Sequence, residues 1–150
     1  MKPPLRKRDF EALSEFRHQL RRFLRFSENA AQAEGLTPLQ YQLMLHIKGY
    51  PGREWATVGE LAQRLQTQQH GVVALVTRCE EAGLVTRTPS TRDRRQVQVR
   101  LTPVGEATMR RVAELHRTEL MSLSGVFQVA HISAYNDALS GDETEPRPDA

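Results

Sequence analysis

The stretch from Thr57 to Thr102 constrains this chain more than any other. Thr57 offers a side-chain oxygen suited to cap a helix, and Glu60, three residues on, completes a capping-box pattern ahead of Leu61 and Leu65 at helical spacing. A second helix over 68–82 follows after almost no connection. Its apolar positions are Val72, Val73, Leu75, Val76 and Cys79, and Gly83 stands where a left-handed residue would close it. The period then drops to two, with Val97, Val99 and Leu101 alternating against Gln96, Gln98 and Arg100, as in a half-buried strand. Two short helices followed by a basic hairpin form the pattern of a helix-turn-helix with a wing at 88–96.

The charge follows this layout. The chain of 150 residues, long enough for one domain with one sizeable core, carries a net +3. Its last eleven residues hold Arg147 against Asp142, Glu143, Glu145 and Asp149, or −3, which leaves +6 on residues 1–139. Between Thr86 and Arg100 stand Arg87, Arg92, Arg94, Arg95 and Arg100 against Asp93, or +4 within one hairpin. Positive charge focused on one projection suits a polyanion. The amphipathic basic helix with aromatic anchors that a membrane surface selects is missing from the pattern. No apolar run approaches the ~18 residues that span a bilayer, and no signal-peptide core follows the first charges, so a cytoplasmic protein is expected. The lone Cys79 excludes an internal disulfide and, with no CxxC, argues against a zinc knuckle.

The rest of the chain reads as helices around that centre. Residues 1–8, MKPPLRKR, are expected to be a flexible basic arm, and 9–35 a long amphipathic helix whose apolar stripe includes Phe10, Leu13, Phe16, Leu20, Phe23, Leu24 and Phe26. Gly35 ends it. Thr37, Pro38 and Gln40 then supply a cap, a proline at the first helical position and a capping-box partner for a second helix bearing Leu39, Leu43, Met44 and Ile47. Glu54 to Ala56 is expected to be a short strand against the wing. Thr102-Pro103 opens a long helix, with a break near Ser124-Gly125 and a final helix over 126–139; residues 140–150 are acidic and expected to be disordered. The fold class is therefore mainly α with a small β-wing, a winged helix-turn-helix lobe over 36–102. The apolar faces of the helices over 9–35 and 103–139 exceed what that lobe can cover, and a second copy about a two-fold axis is the simplest cover, so these are read as dimerisation helices. Two such lobes would meet major grooves roughly 34–36 Å apart on a pseudo-palindrome.

In this order of elements, across about residues 10–139, the chain resembles the MarR family of bacterial transcription regulators. The most specific match is the wing signature Asp93-Arg94-Arg95-Gln96-Val97-Gln98-Val99-Arg100-Leu101-Thr102, with Val99 where leucine is usual; ELAQRL at Glu60–Leu65 and EEAGLVTR at Glu80–Arg87 also fit. The resemblance implies a homodimeric binder of double-stranded DNA, usually a repressor, often released by a small aromatic or phenolic ligand held between the dimerisation helices and the DNA-binding lobe. It also gives Arg95 the position of the family's wing-tip arginine in the minor groove.

Within the second helix of the motif, Val72, Val76 and Cys79 are expected to face inward and Gln68, Gln69, His70, Val73 and Thr77 outward. Glutamine can pair with adenine, histidine can donate to guanine, and Val73 can meet a thymine methyl. Positions 73 and 74, commonly Thr or Ser and then Arg in the family, are here Val73 and Ala74, which shifts the expected reading toward the wing and DNA shape. Asp93 is expected to orient Arg95, and Arg78, Arg92 and Arg94 to clamp phosphates. Arg17, His18, Arg21, His46 and His116 are candidates to border an organic-ligand pocket. Glu15 with His18 and His116 with Glu119 have the spacing of helical metal ligands, but such pairs are frequent on solvated faces, and neither a metal nor another cofactor is expected. Cys79 reads as a small core hydrophobe rather than a redox switch. No phosphate loop, GxSxG or HExxH points to an enzyme. Two rival readings remain open at this point: a winged-helix protein-interaction module, and a ligand-independent DNA-organising protein.

Overall fold

A computed structural model describes residues 3–93 and 95–122. Its elements are α1 (Lys7–Ala33), α2 (Pro38–Lys48), β1 (Trp55–Thr57), α3 (Val58–Leu65), α4 (Gln69–Glu81), β2 (Val85–Pro89), β3 (Val97–Leu101) and α5 (Pro103–Ser122). The chain divides into two compact units, one of residues 27–118 and the other holding α1 as far as Phe26 together with the described residues from Glu119. The expected break near Ser124, the final helix over 126–139 and the acidic tail lie outside the described residues.

Local chemistry sets most helix ends. Thr37 and Thr57 each accept the main-chain amide three residues on, and Gln40 and Glu60 each return a bond to the capping residue's own amide at 3.0 Å, so both capping boxes close. α1 begins at Lys7, two residues before the sequence-based boundary. The physical reason is Asp9, whose carboxylate accepts the Arg6 amide at 2.8 Å and so occupies an otherwise orphaned donor of the first turn. Gln66 closes α3 in the left-handed region at φ 54°, a conformation unusual outside glycine and Asn/Asp, with its side chain donating to the Gln63 carbonyl at 2.6 Å. Gly83 closes α4 at φ 74°, as the sequence suggests.

The three strands form an antiparallel sheet in the order β1-β3-β2, which makes Glu54 to Ala56 a strand segment one residue later than expected, Trp55–Thr57. Val99 sits at its centre, opposite both Ala56 and Arg87. Inside the unit of residues 27–118, Leu43, Met44 and Ile47 of α2, Leu61 of α3, Val72, Val76 and Cys79 of α4, Val85 and Val99 of the sheet and Val112 of α5 are all sealed from solvent. Each such aliphatic burial is worth about 1.5–3 kcal/mol, well above the ~0–1 kcal/mol of an exposed ion pair, so this core and not the many surface charges holds the lobe together. The strand alternation holds for Val99 and partly for Leu101 but fails at Val97, which is exposed. Val97 pairs with Pro89 at the far end of the hairpin, beyond the buried Val85 and Val99.

Where α4, β2 and α5 meet, Thr102 binds in three directions. Its hydroxyl donates to the Gly83 carbonyl at 2.6 Å and accepts the Gly105 amide at 3.0 Å, while its own amide donates to the Leu84 carbonyl at 3.0 Å. Gly105 is needed here because a Cβ at this position would overlap the Leu84 carbonyl oxygen. In an open helix Gly→Ala stabilises by up to about 1 kcal/mol, so Gly105→Ala gives the opposite sign from helix propensity. We expect a loss of about 1–3 kcal/mol, in the range of other overpacked sites, measured by denaturant unfolding.

Candidate nucleic-acid interface

α4 is anchored on one side only. Val72, Leu75, Val76 and Cys79 are buried, which adds Leu75 to the inward face read from sequence, while Gln68, Gln69, His70, Val73, Ala74 and Arg78 are exposed. Gln68 is the N-cap but makes no side-chain capping bond, so its amide stays available. Gln69 leans on α3: a Cβ at Gly59 would stand 3.2 Å from its Nε2. Val73 is 44% exposed and lies beside Ala74 at the middle of the outward face, giving that face an apolar centre between amide, imidazole and guanidinium groups.

Thr77, a candidate base-reading residue, is bonded within the protein. Its hydroxyl donates to the Val73 carbonyl at 3.0 Å and accepts from Arg87 Nη2 at 2.9 Å, so both of its functions are engaged within the protein.

The wing tip is a closed turn. The Ser90 hydroxyl, 8% exposed, accepts the amides of Arg92 (3.2 Å) and Asp93 (3.4 Å), and main-chain bonds join Ser90 to Gln96 and Gln96 to Asp93. The Asp93 carboxylate accepts the main-chain amide of Arg95 at 3.0 Å. Asp93 thus fixes the backbone under Arg95 and not its guanidinium, the partner sequence reasoning gave it. Arg92 and Arg95 project into solvent, and among the described residues neither has an ion-pair partner; Arg94 lies outside them. Arg87, counted from sequence as part of the same charge, is instead paired with Glu80.

The candidate ligand residues fall in different places. Arg17 and Arg21, with Leu20 and Leu24, line a surface groove of about 220 Å³ on α1, and His18 is exposed on the same helix. In the other unit, His46 is half-buried near Arg64, and His116 is buried with its ring stacked on Tyr41 at 4.9 Å and its Nδ1 2.8 Å from the Val112 carbonyl. Among the described residues no group of three or more His, Cys, Asp or Glu is arranged to hold a metal ion.

Sequence reasoning missed one cluster. The Arg53 guanidinium lies between the rings of Tyr50 (4.1 Å) and Trp55 (3.9 Å) and pairs with Glu60, while Arg64 approaches Tyr50 from 5.3 Å. Glu60 therefore caps α3 with one oxygen and holds the stack with the other. An arginine between two aromatics in Tyr50–Trp55 was the available signal. Nearby, Lys48 bridges Glu54 and Glu106, each at 2.9 Å, which raises the lysine pKa and lowers that of Glu106.

A helix pair with one outward helix face, followed by a hairpin with a basic tip, defines a winged helix-turn-helix protein. Residues 34–96 match the sequence model of the MarR family. The chain is 30% identical over 98 residues to a Thauera aromatica protein named for transcriptional regulation of the hcr operon; the aligned segment covers 65% of this chain and 57% of that protein. It is 26% identical over 109 residues to the HTH-type transcriptional repressor MdtR of Bacillus subtilis, covering 69% and 68% of the two chains. Its fold matches the structure of a MarR family protein from Bacillus stearothermophilus with a TM-score of 0.69 and 22% identity, over 92% and 95% of the respective chains. The match to the MarR model thus falls on the helix-turn-helix and wing, and the fold is that of the solved MarR family structures the chain resembles.

Two titratable groups yield tests. Burial pushes the Cys79 thiol up to about 11, against a weaker opposing effect of Arg78. Cys79 should therefore resist an aromatic disulfide reagent at pH 7.5 in the native protein and react promptly in denaturant. Burial, and secondarily Arg64, lowers the His46 pKa. The folded state thus favours neutral His46, so its contribution is complete above the ordinary histidine value of about 6.5 and is lost as pH falls below it. The drop in melting temperature from pH 7.5 to 5.5 should be smaller in His46→Gln than in the wild type.

Proposed function

We propose that this protein is a dimeric, sequence-specific DNA-binding transcription regulator, a cytoplasmic repressor released by a small aromatic or phenolic ligand. The observation that carries the reading is the pairing of a one-sided α4 with a wing tip whose Arg92 and Arg95 point into solvent, without ion-pair partners among the described residues. Exposed guanidinium groups on a braced turn suit phosphate and a narrow minor groove. Gln68, Gln69 and His70 at the start of α4 offer donors and acceptors to base edges, and Val73 with Ala74 offers apolar contact to thymine methyls. Arg78, also exposed, is assigned to phosphate.

The dimer reading is supported by α1. Phe10, Leu13 and Leu24 share one face of that helix and are each more than a third exposed. A row of exposed large apolar side chains at helical spacing favours burial against a symmetry-related copy. A ligand would release DNA by binding better to the arrangement in which the two α4 helices miss successive grooves, and by no more than that difference in affinity.

DNA fragments selected from a sheared genome at about 150 mM salt test the reading, since non-specific binding fades there. Enrichment of pseudo-palindromic sites is expected. On such a site Arg95→Ala should weaken binding at least about tenfold and reduce the salt slope by about one. Unchanged affinity would remove the wing from the mechanism, and a 17.1 kDa particle by light scattering at micromolar concentration would remove the dimer.

A further inference from the structure

Arg87 differs from the other arginines of the hairpin. It stands on β2, opposite Val99, and turns back onto α4 instead of outward. Its Nη2 donates to the Thr77 hydroxyl at 2.9 Å and approaches Glu80 Oε1 at 3.4 Å, while its main-chain amide donates to Glu80 Oε2 at 3.0 Å. The Thr77 hydroxyl itself donates to the Val73 carbonyl. Side chain and backbone of one wing residue are thus tied to two residues one turn apart on α4, beside the exposed Val73.

From this geometry we propose that Arg87, Thr77 and Glu80 form a strap that sets the angle between α4 and the wing, making Arg87 and Thr77 positioning residues for sequence discrimination and not DNA contacts. The inference rests on the DNA-binding reading above. Its physical basis is that specific recognition requires α4 and the wing tip to meet two grooves at once, whereas non-specific association needs only positive charge near phosphate. A loosened hinge therefore costs discrimination and spares charge-driven binding. The strap also occupies the one hydroxyl on the outward half of α4 that sequence assigned to base reading, and it neutralises Arg87 with Glu80.

The test uses Thr77→Val, Arg87→Gln, the double variant and Thr77→Ser, on the full chain, with a selected site and mixed-sequence DNA as probes. Thr77→Val and Arg87→Gln should each lower affinity for the selected site about tenfold, and the double variant should be no worse than the worse single, as coupled partners require. Binding to mixed-sequence DNA and its salt slope should stay as in the wild type, and Thr77→Ser, which keeps the hydroxyl, should restore the selected-site affinity. If Arg87→Gln lowers the salt slope by about one, Arg87 contacts phosphate and the proposal fails. Additive losses in the double variant also overturn it, because Thr77 would then be reading a base by itself. Amide exchange on the free protein supplies a readout that needs no DNA. Thr77→Val should speed exchange in residues 85–89 about tenfold while leaving α2 unchanged, and an unchanged wing would overturn the strap even if no specific site were recovered.

Discussion

The arrangement depends on the one-sided burial of α4. Four side chains, Val72, Leu75, Val76 and Cys79, sink into a core shared with α2, α3 and the sheet, and their spacing turns Gln68, His70, Val73, Ala74 and Arg78 outward. Burial of that face is not directional by itself; direction comes from the neighbours. α3 stops abruptly at the left-handed Gln66, which turns the chain within three residues into α4, and Gly59 lets the two helices approach at Gln69. The outward face is thus a consequence of the inward one.

Around this core, a few polar residues each satisfy more than one neighbour. Thr102 joins the end of α4, the start of β2 and the first turn of α5; Glu60 caps α3 and holds the Arg53 guanidinium between two rings; Ser90 and Asp93 use single side chains to close the wing tip. Hydrogen bonds of this kind contribute only about 1 kcal/mol each, but leaving such groups unpaired inside the fold costs more, so they select one geometry. The consequence is a lobe whose helices, hairpin and connections are fixed relative to one another by shared atoms and not by additional core.

What could be read from the chain alone follows from this division. The boxes at Thr37–Gln40 and Thr57–Glu60, the Thr102-Pro103 start and the turn at Gly83 were legible because each is decided within four residues. The inward face of α4 was legible from periodicity, apart from Leu75. Features set by distance in space were not. Val97 follows the strand alternation yet lies beyond the core, Thr77 looks like a groove-facing hydroxyl until Arg87 arrives from ten residues away, and Asp93 acts on the Arg95 backbone where sequence suggested its side chain. The stacking of His116 on Tyr41 joins two helices far apart in sequence, and no local pattern announces it. Of the ligand candidates, Arg17 and Arg21 line one groove on α1, whereas His46 lies near Arg64 and His116 stacks on Tyr41.

The pairing of Arg87 with Glu80 also alters how charge is distributed along the hairpin. A sum over the sequence spreads positive charge from base to tip, but Glu80 offsets Arg87 near the base, leaving Arg100 there, whereas Arg92 and Arg95 flank Asp93 at the far end. On the DNA-binding reading, a duplex drawn to the exposed guanidinium groups of the tip would meet the wing before the face of α4.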